Sequence, residues 1–256
     1  MIEHTNHPSA SSRSNPTLSI VIPAKNESSR LPKTLGFLRK ALDQIGILYE
    51  IIVVDDGSAD DTASVAEMLN TVVIRHCQGK GIAASIRSGC NKAEGKVVMT
   101  CPADVEDFAF LDRAIRASQD FDIVSVSKRH PQSVVVGYGA WRWFLSNGYH
   151  MLVRALFGVP SNLTDTHYIK LFQTDRIWKA IPFCSVNGPV GETELVINMI
   201  HDNASWMEVP ARIVHNGNHS KTSMRLVARS AFEMALLFYH YRLRPSEGRK
   251  ARREYA

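Results

Sequence analysis

Carboxylates recur in this chain directly after short apolar runs, and cations stand close by. Asp55 and Asp56 follow Ile51-Ile52-Val53-Val54, and Asp104, Glu106 and Asp107 follow soon after Val97-Val98-Met99-Thr100. Acids at the carboxyl edge of a buried sheet can accept hydrogen bonds from a base or a ribose. As hard oxygen ligands, the second group suits Mg²⁺ or Mn²⁺ bridging a diphosphate. Between the two lies Gln78-Gly79-Lys80-Gly81. Glycines there let the backbone approach a phosphate, and Lys80 with Arg87 supplies positive charge. The pattern is neither a P-loop nor G-x-G-x-x-G. Each group also has a plain structural reading. Asp55 and Asp56 suit a solvated turn followed by a helix cap at Asp60 or Asp61. Acids over 104–107 suit a helix start favoured by the macrodipole.

Strands and helices must hold these groups in place. Residues 18–23, 51–54, 72–75, 96–100 and 122–127 read as short buried strands. Helical spacing separates them: Leu31, Leu35, Leu38 and Leu42 share one face, and Val65, Met68 and Leu69, then Ile82, Ala83 and Ile86, mark two more helices. Such alternation implies a mostly parallel sheet with helices on both faces.

At 256 residues and 45% hydrophobic, the chain can bury a full core as one large domain. Residues 1–16 are polar and read as a disordered leader without the apolar stretch of a signal peptide. The four cysteines show no C-x-x-C pairing, which argues against a disulfide framework or a zinc site and fits a reducing cytosol. A net charge of +5 favours an anionic partner such as a nucleotide, a lipid phosphate or a membrane surface. No nucleic-acid partner is expected.

The second half is less regular. Residues 141–158 read either as a basic amphipathic helix lying on a membrane or as a core helix, with Trp141, Phe144, Leu145, Leu152 and Leu156 apolar. Residues 206–210 and 211–215 read as a strand pair, and His215 and His219 as possible ligands or plain surface residues. The helix at 224–241 is interrupted by Arg225, Arg229 and Glu233, so no membrane span is expected. A basic tail over 244–256 suits either anionic lipid or a frayed terminus.

Taken together, IVIPAKNES, VVDDGSADDT, the GKG-to-SG helix and PADVED resemble family 2 of the glycosyltransferases, most of all its dolichol-phosphate and polyprenyl-phosphate mannosyltransferase branch, over residues 18–241. The resemblance implies the GT-A fold: a Rossmann-like, mostly parallel sheet with helices on both faces and C-terminal amphipathic helices. It divides the domain at 17–128, for the nucleotide sugar, and 129–243, for the acceptor. Pro23, Ala24, Glu27, Asp55 and Asp56 would line the nucleotide pocket, with Lys80 and Arg87 near the base and diphosphate. The family's Asp-x-Asp reads Pro102-Ala103-Asp104 here, so Mg²⁺ or Mn²⁺ would rest on Asp104, with Glu106 or Asp107 compensating. Asp165 and Lys170 match the family's Asp and Arg/Lys, although Tyr168-Ile169 stands where Gly-Phe is usual. Glu194, the better match, and Glu192 correspond to an acid that serves as base for a hydroxyl acceptor. Ser220 and Lys221 would close over the diphosphate.

The expected function is therefore inverting transfer of a sugar from a GDP- or UDP-sugar to a polyprenyl phosphate, at the cytoplasmic face of a membrane. The alternatives are transfer to a hydroxyl of a small metabolite or glycan, with Asp165, Glu192 or Glu194 as base, and a non-catalytic nucleotide-sugar-binding protein. A nucleotidyltransferase is disfavoured because PAKNES carries no glycine.

Overall fold

The structure, a computed structural model, describes residues 16–214 and 224–243. Its first half alternates as the spacing predicts: β1 (Leu18–Ala24), α1 (Leu31–Ile45), β2 (Tyr49–Asp55), α2 (Thr62–Met68), β3 (Val72–Arg75), α3 (Ile82–Lys92), β4 (Val97–Thr100), α4 (Leu111–Ala117) and β5 (Ile123–Ser127). Strand side chains sort by parity, because successive residues face opposite sides of a sheet. Ile20, Ile22, Ile51 and Val53 join a core with α1 and α4, whereas Val21, Ile52 and Val54 join a second core with α3. Gly89 lets α3 lie close to β1, since a Cβ there would collide with Val21.

The second half comprises β6 (Val134–Val136), α5 (Ala140–Phe157), β7 (Lys170–Gln173), α6 (Thr174–Ala180), α7 (Val190–Ile200), β8 (Trp206–Pro210), β9 (Arg212–Val214) and α8 (Met224–Phe238), which runs into a π-helical turn (Tyr239–Leu243). Strands from both halves share one seven-stranded sheet in the order β3-β2-β1-β4-β7-β5-β8, and β7 alone runs antiparallel to its neighbours.

One expectation is corrected. The late strands do not pair with each other: β8 joins the main sheet beside β5, and β9 pairs in parallel with β6. Pro210 ends β8, and β6 supplies the neighbour that β9 lacks. In α5 the buried stripe is His150, Val153 and Phe157, while Trp141 (62% exposed), Phe144 (67%) and Met151 (70%) face outward. No helix among the described residues is long and apolar enough to cross a membrane. Ser220, Lys221, His215, His219 and the basic tail lie outside the described residues.

Candidate active site

The turns after β1 and β2 are laced together. Asn26, held at φ +57°, accepts the Ala59 N–H on Oδ1 (2.8 Å) and donates its own N–H to Ser58 Oγ (2.9 Å). The Ser28 hydroxyl donates to Asp60 Oδ2 (2.7 Å), and the Glu27 N–H to Thr62 Oγ1 (2.8 Å). Hydrogen bonding, first from the Thr62 hydroxyl, draws the Asp60 carboxyl down to about 2.

This lacing gives the paired aspartates different places. Asp55 turns Oδ1 back onto the Ser58 N–H (3.1 Å) and the Ser58 hydroxyl. Asp56 reaches the glycine turn instead. Its Oδ1 meets His76 Nδ1 (2.9 Å) and the Lys80 N–H (2.8 Å), and its Oδ2 accepts the Gly81 N–H (2.9 Å). Burial pushes the Asp56 carboxyl up, but His76 and the two backbone donors outweigh it and hold it below the usual range. Asp56 is thus the anchor that curls residues 79–81 over the sheet edge.

Around that turn lies a cavity of about 590 Å³. Pro23, Ala24, Lys25, Glu27, Asp56, Lys80, Asp104 and Glu192 line it. Lys25, to which the sequence motifs assign no role, lies so close over Gly79 that a Cβ there would collide with its ammonium. Glu27 is paired with Arg30 at 2.8 Å. Asp104 is exposed on the wall and takes part in no ion pair or side-chain hydrogen bond among the described residues.

Several expected site residues are placed elsewhere. Asp55 and Arg87 do not line this cavity. Arg87 donates to the Val186 carbonyl (2.7 Å) and to Asn187 Oδ1, clamping the segment before α7. Glu106 points to α1, where it pairs with Lys33 at 2.7 Å, so it does not support Asp104. Glu194, fully buried, accepts the N–H groups of Ser185 (2.8 Å) and Val186 (2.7 Å) and faces neither cavity. Two residues apart on a helix means about 200° of rotation, so only one of Glu192 and Glu194 can face the cavity. That residue is Glu192.

A second cavity, of about 600 Å³, adjoins the first, and Tyr168 and Pro189 line both. Antiparallel β7 makes this possible: Lys170 pairs with Thr100 in register, so the start of β7 lies at the carboxyl edge of β4. Tyr168, with φ +79°, holds a left-handed backbone that a bulky residue adopts only at a cost. Lys128, Arg129 and Arg142 bring positive charge to the second cavity, and Leu145, Ile213 and Met234 are among its apolar walls.

A buried charge cluster underlies this boundary. Asp165, 2% exposed, has Lys128 Nζ 3.2 Å and Arg129 Nη1 3.9 Å from its Oδ2. Burial pushes its carboxyl up, but Lys128, Lys170 and the N–H that His167 donates to Oδ1 outweigh that and hold it low. Burial, then Lys170, drives His167 down to about 3, so the ring is neutral. Burial likewise lowers the Lys170 ammonium, against the pull of Glu192 and Asp165. Glu192 is pushed up to about 7 by burial, only partly offset by Lys170.

Known proteins resemble this chain in sequence and in fold. A dolichyl-phosphate beta-glucosyltransferase of Trichomonas vaginalis is 32% identical over 159 residues, covering 53% of this chain and 47% of that one. An undecaprenyl-phosphate 4-deoxy-4-formamido-L-arabinose transferase of Pseudomonas syringae is 31% identical over 153 residues, covering 57% and 44%. The Saccharomyces cerevisiae dolichyl-phosphate beta-glucosyltransferase is 27% identical over 223 residues, covering 75% and 65%. The chain thus spans about half the length of the first two relatives. Among solved structures, mannosyl-3-phosphoglycerate synthase from Rubrobacter xylanophilus superposes with a TM-score of 0.68 at 16% identity, covering 91% of this chain and 77% of that one. Glucosyl-3-phosphoglycerate synthase from Mycobacterium tuberculosis, with Mn²⁺, UDP and phosphoglyceric acid, gives 0.69 at 16%, covering 91% and 81%. These two likenesses establish the GT-A fold. The model of glycosyl transferase family 2 matches residues 19–166, more than half of the chain and both laced turns, and the chain belongs to that family.

Proposed function

We propose that the chain is an inverting transferase that moves a sugar from a nucleotide diphosphate sugar in the first cavity to a polyprenyl phosphate in the second. One observation carries this reading: a cavity with Lys128, Arg129 and Arg142 and extensive apolar walls abuts the donor cavity across Tyr168 and Pro189. Such a site suits a ligand that is a phosphate at one end and a hydrocarbon at the other. The names of the relatives, which act on dolichyl and undecaprenyl phosphates, support the same acceptor class.

In this reading the acceptor phosphate oxygen forms a bond to the anomeric carbon as the bond from that carbon to the donor diphosphate breaks. The acceptor is already anionic at neutral pH, so it needs no strong base. Lys25 and Lys80 offset charge on the departing diphosphate. Asp104 would hold Mg²⁺ or Mn²⁺, which, when bound, would neutralise diphosphate charge as a Lewis acid. The residues fit: such an ion commonly takes one or two carboxylates and completes its shell with substrate phosphates and water. Asp104 is the unpartnered carboxylate on that wall, and no cluster of three potential ligands exists among the described residues. Exposed Trp141, Phe144 and Met151 on α5 suit contact with the cytoplasmic face of a membrane.

A second reading, transfer to a hydroxyl, is favoured by Glu192 alone. A carboxyl pushed up to about 7 on the donor cavity wall is poised as a general base. Both readings are tested by supplying UDP-glucose and GDP-mannose with undecaprenyl or dolichyl phosphate in detergent, together with phosphoglycerate and glycan hydroxyl acceptors, and following the label. Label in a lipid-linked sugar phosphate supports the first reading. Label only in glycerate-type or glycan hydroxyl acceptors overturns it in favour of the second.

A further inference from the structure

The donor cavity has one basic wall that comes from the far end of the chain. Arg229, on α8, lines it together with Lys25, Lys80 and Asp104. The guanidinium lies over the glycine turn: a Cβ built on Gly81 would stand 3.3 Å from Arg229 Nη2. This is the turn whose Lys80 and Gly81 N–H groups converge on Asp56, so Arg229 sits above the start of α3.

Its orientation is fixed by Glu233, one helical turn on. Arg229 Nε donates to Glu233 Oε1 at 2.9 Å. Glu233 is 7% exposed, and its Oε2 accepts the N–H of Val190, the first residue of α7, at 3.2 Å. The 188–190 turn leaves room for this carboxylate, since a Cβ on Gly188 would fall on Oε1. With Nε committed to Glu233, neither Nη group donates to protein among the described residues. An i,i+4 pair with a half-exposed arginine adds little stability by itself. Burying its carboxylate partner against a backbone N–H makes sense as a device that aims the fork.

We propose that Arg229 binds the donor diphosphate through its two Nη groups, and that Glu233 is its positioning residue. The assignment rests on the reading of the first cavity as the nucleotide diphosphate sugar site. A planar guanidinium matches two phosphate oxygens at once, and one held in advance loses less rotamer freedom on binding than a free lysine. Because α8 also contributes Val227, Ala231 and Met234 to the second cavity, the same helix walls both sites.

The test is calorimetry of UDP, UMP, GDP and GMP with Mn²⁺ on wild type, Arg229→Ala, Arg229→Lys and Glu233→Gln, each checked by thermal melting. For whichever base the wild type binds, Arg229→Ala is expected to weaken the diphosphate by about tenfold or more while leaving the monophosphate within about twofold. Arg229→Lys restores part of the loss, and Glu233→Gln shows a smaller loss of the same diphosphate selectivity. Unchanged diphosphate affinity in Arg229→Ala, or equal losses for mono- and diphosphate, overturns the assignment and leaves the donor site standing. Absence of binding to the wild type overturns both.

Discussion

The two cavities are built on opposite plans. The first cavity, proposed to hold the donor, rests on parallel strands, and its shape is set by backbone: two laced turns, a glycine turn curled onto Asp56, and close approaches that only glycine permits. The second cavity rests on side chains from scattered elements. Its cations Lys128 and Arg129 are held by one buried acid, Asp165, and its walls come from α5, α8 and the β6–β9 ribbon. Backbone N–H groups suit a compact, ubiquitous diphosphate. A long hydrocarbon carrying a phosphate needs apolar area and placed cations, which only side chains supply.

If the comparison is right, substitutions should affect one cavity and spare the other. Asp104→Ala has the largest expected effect: loss of metal-dependent UDP or GDP binding in calorimetry and a fall in turnover of about 100-fold or more. Unchanged metal-dependent binding would mean the donor cavity does not use this acid. Next, Asp165→Ala removes a buried counter-charge from beside Lys128 and the buried Lys170 and should cost about 3–5 kcal/mol in denaturant unfolding. A loss under about 1 kcal/mol would mean that the cluster does not hold the second cavity together.

Arg142→Ala sharpens the division. It should raise the acceptor KM by about tenfold while the nucleotide affinity stays within about twofold. A parallel loss of nucleotide affinity would merge the two cavities into one site.

Glu192→Gln has the subtlest expected effect, and it appears in pH dependence. The folded-state value of about 7 lies above the usual 4.5, so the folded protein holds this proton longer than the unfolded chain. Its stabilising contribution is complete below about 4.5 and is lost as pH rises through about 7. The variant should therefore flatten the decline in stability between those values. Turnover with a phosphate acceptor should persist, whereas turnover with a hydroxyl acceptor should collapse.

Which acids serve which purpose was only partly legible. Asp56 could be read as a site residue from the run before it, yet its neighbour Asp55 differs only in which way the turn sends it. Glu194 matched the family pattern better than Glu192, but helical rotation buries it against Ser185 and Val186. Glu106 stands close to Asp104 in sequence and is drawn off by Lys33 on another helix. Lys25 sat inside a motif without an assigned role, and Arg229 was read only as an interruption of an apolar helix. Arg129 and Lys128 carried no spacing signal at all, because their partner Asp165 lies 36 or more residues away in sequence.

The sequence by itself determined the alternating strands and helices, the acids at their carboxyl ends and the glycine turn. Short-range periodicity and turn chemistry act within a few residues, so they can be read from a string. Only the tertiary structure decided that β7 enters antiparallel between β4 and β5, which brings Tyr168 and Lys170 to the active edge. It likewise decided that α8 packs where Arg229 covers Gly81, and that Trp141 and Phe144 stay outside while His150 turns in. Those outcomes depend on contacts between segments far apart in the chain, where packing and buried charge override local preference.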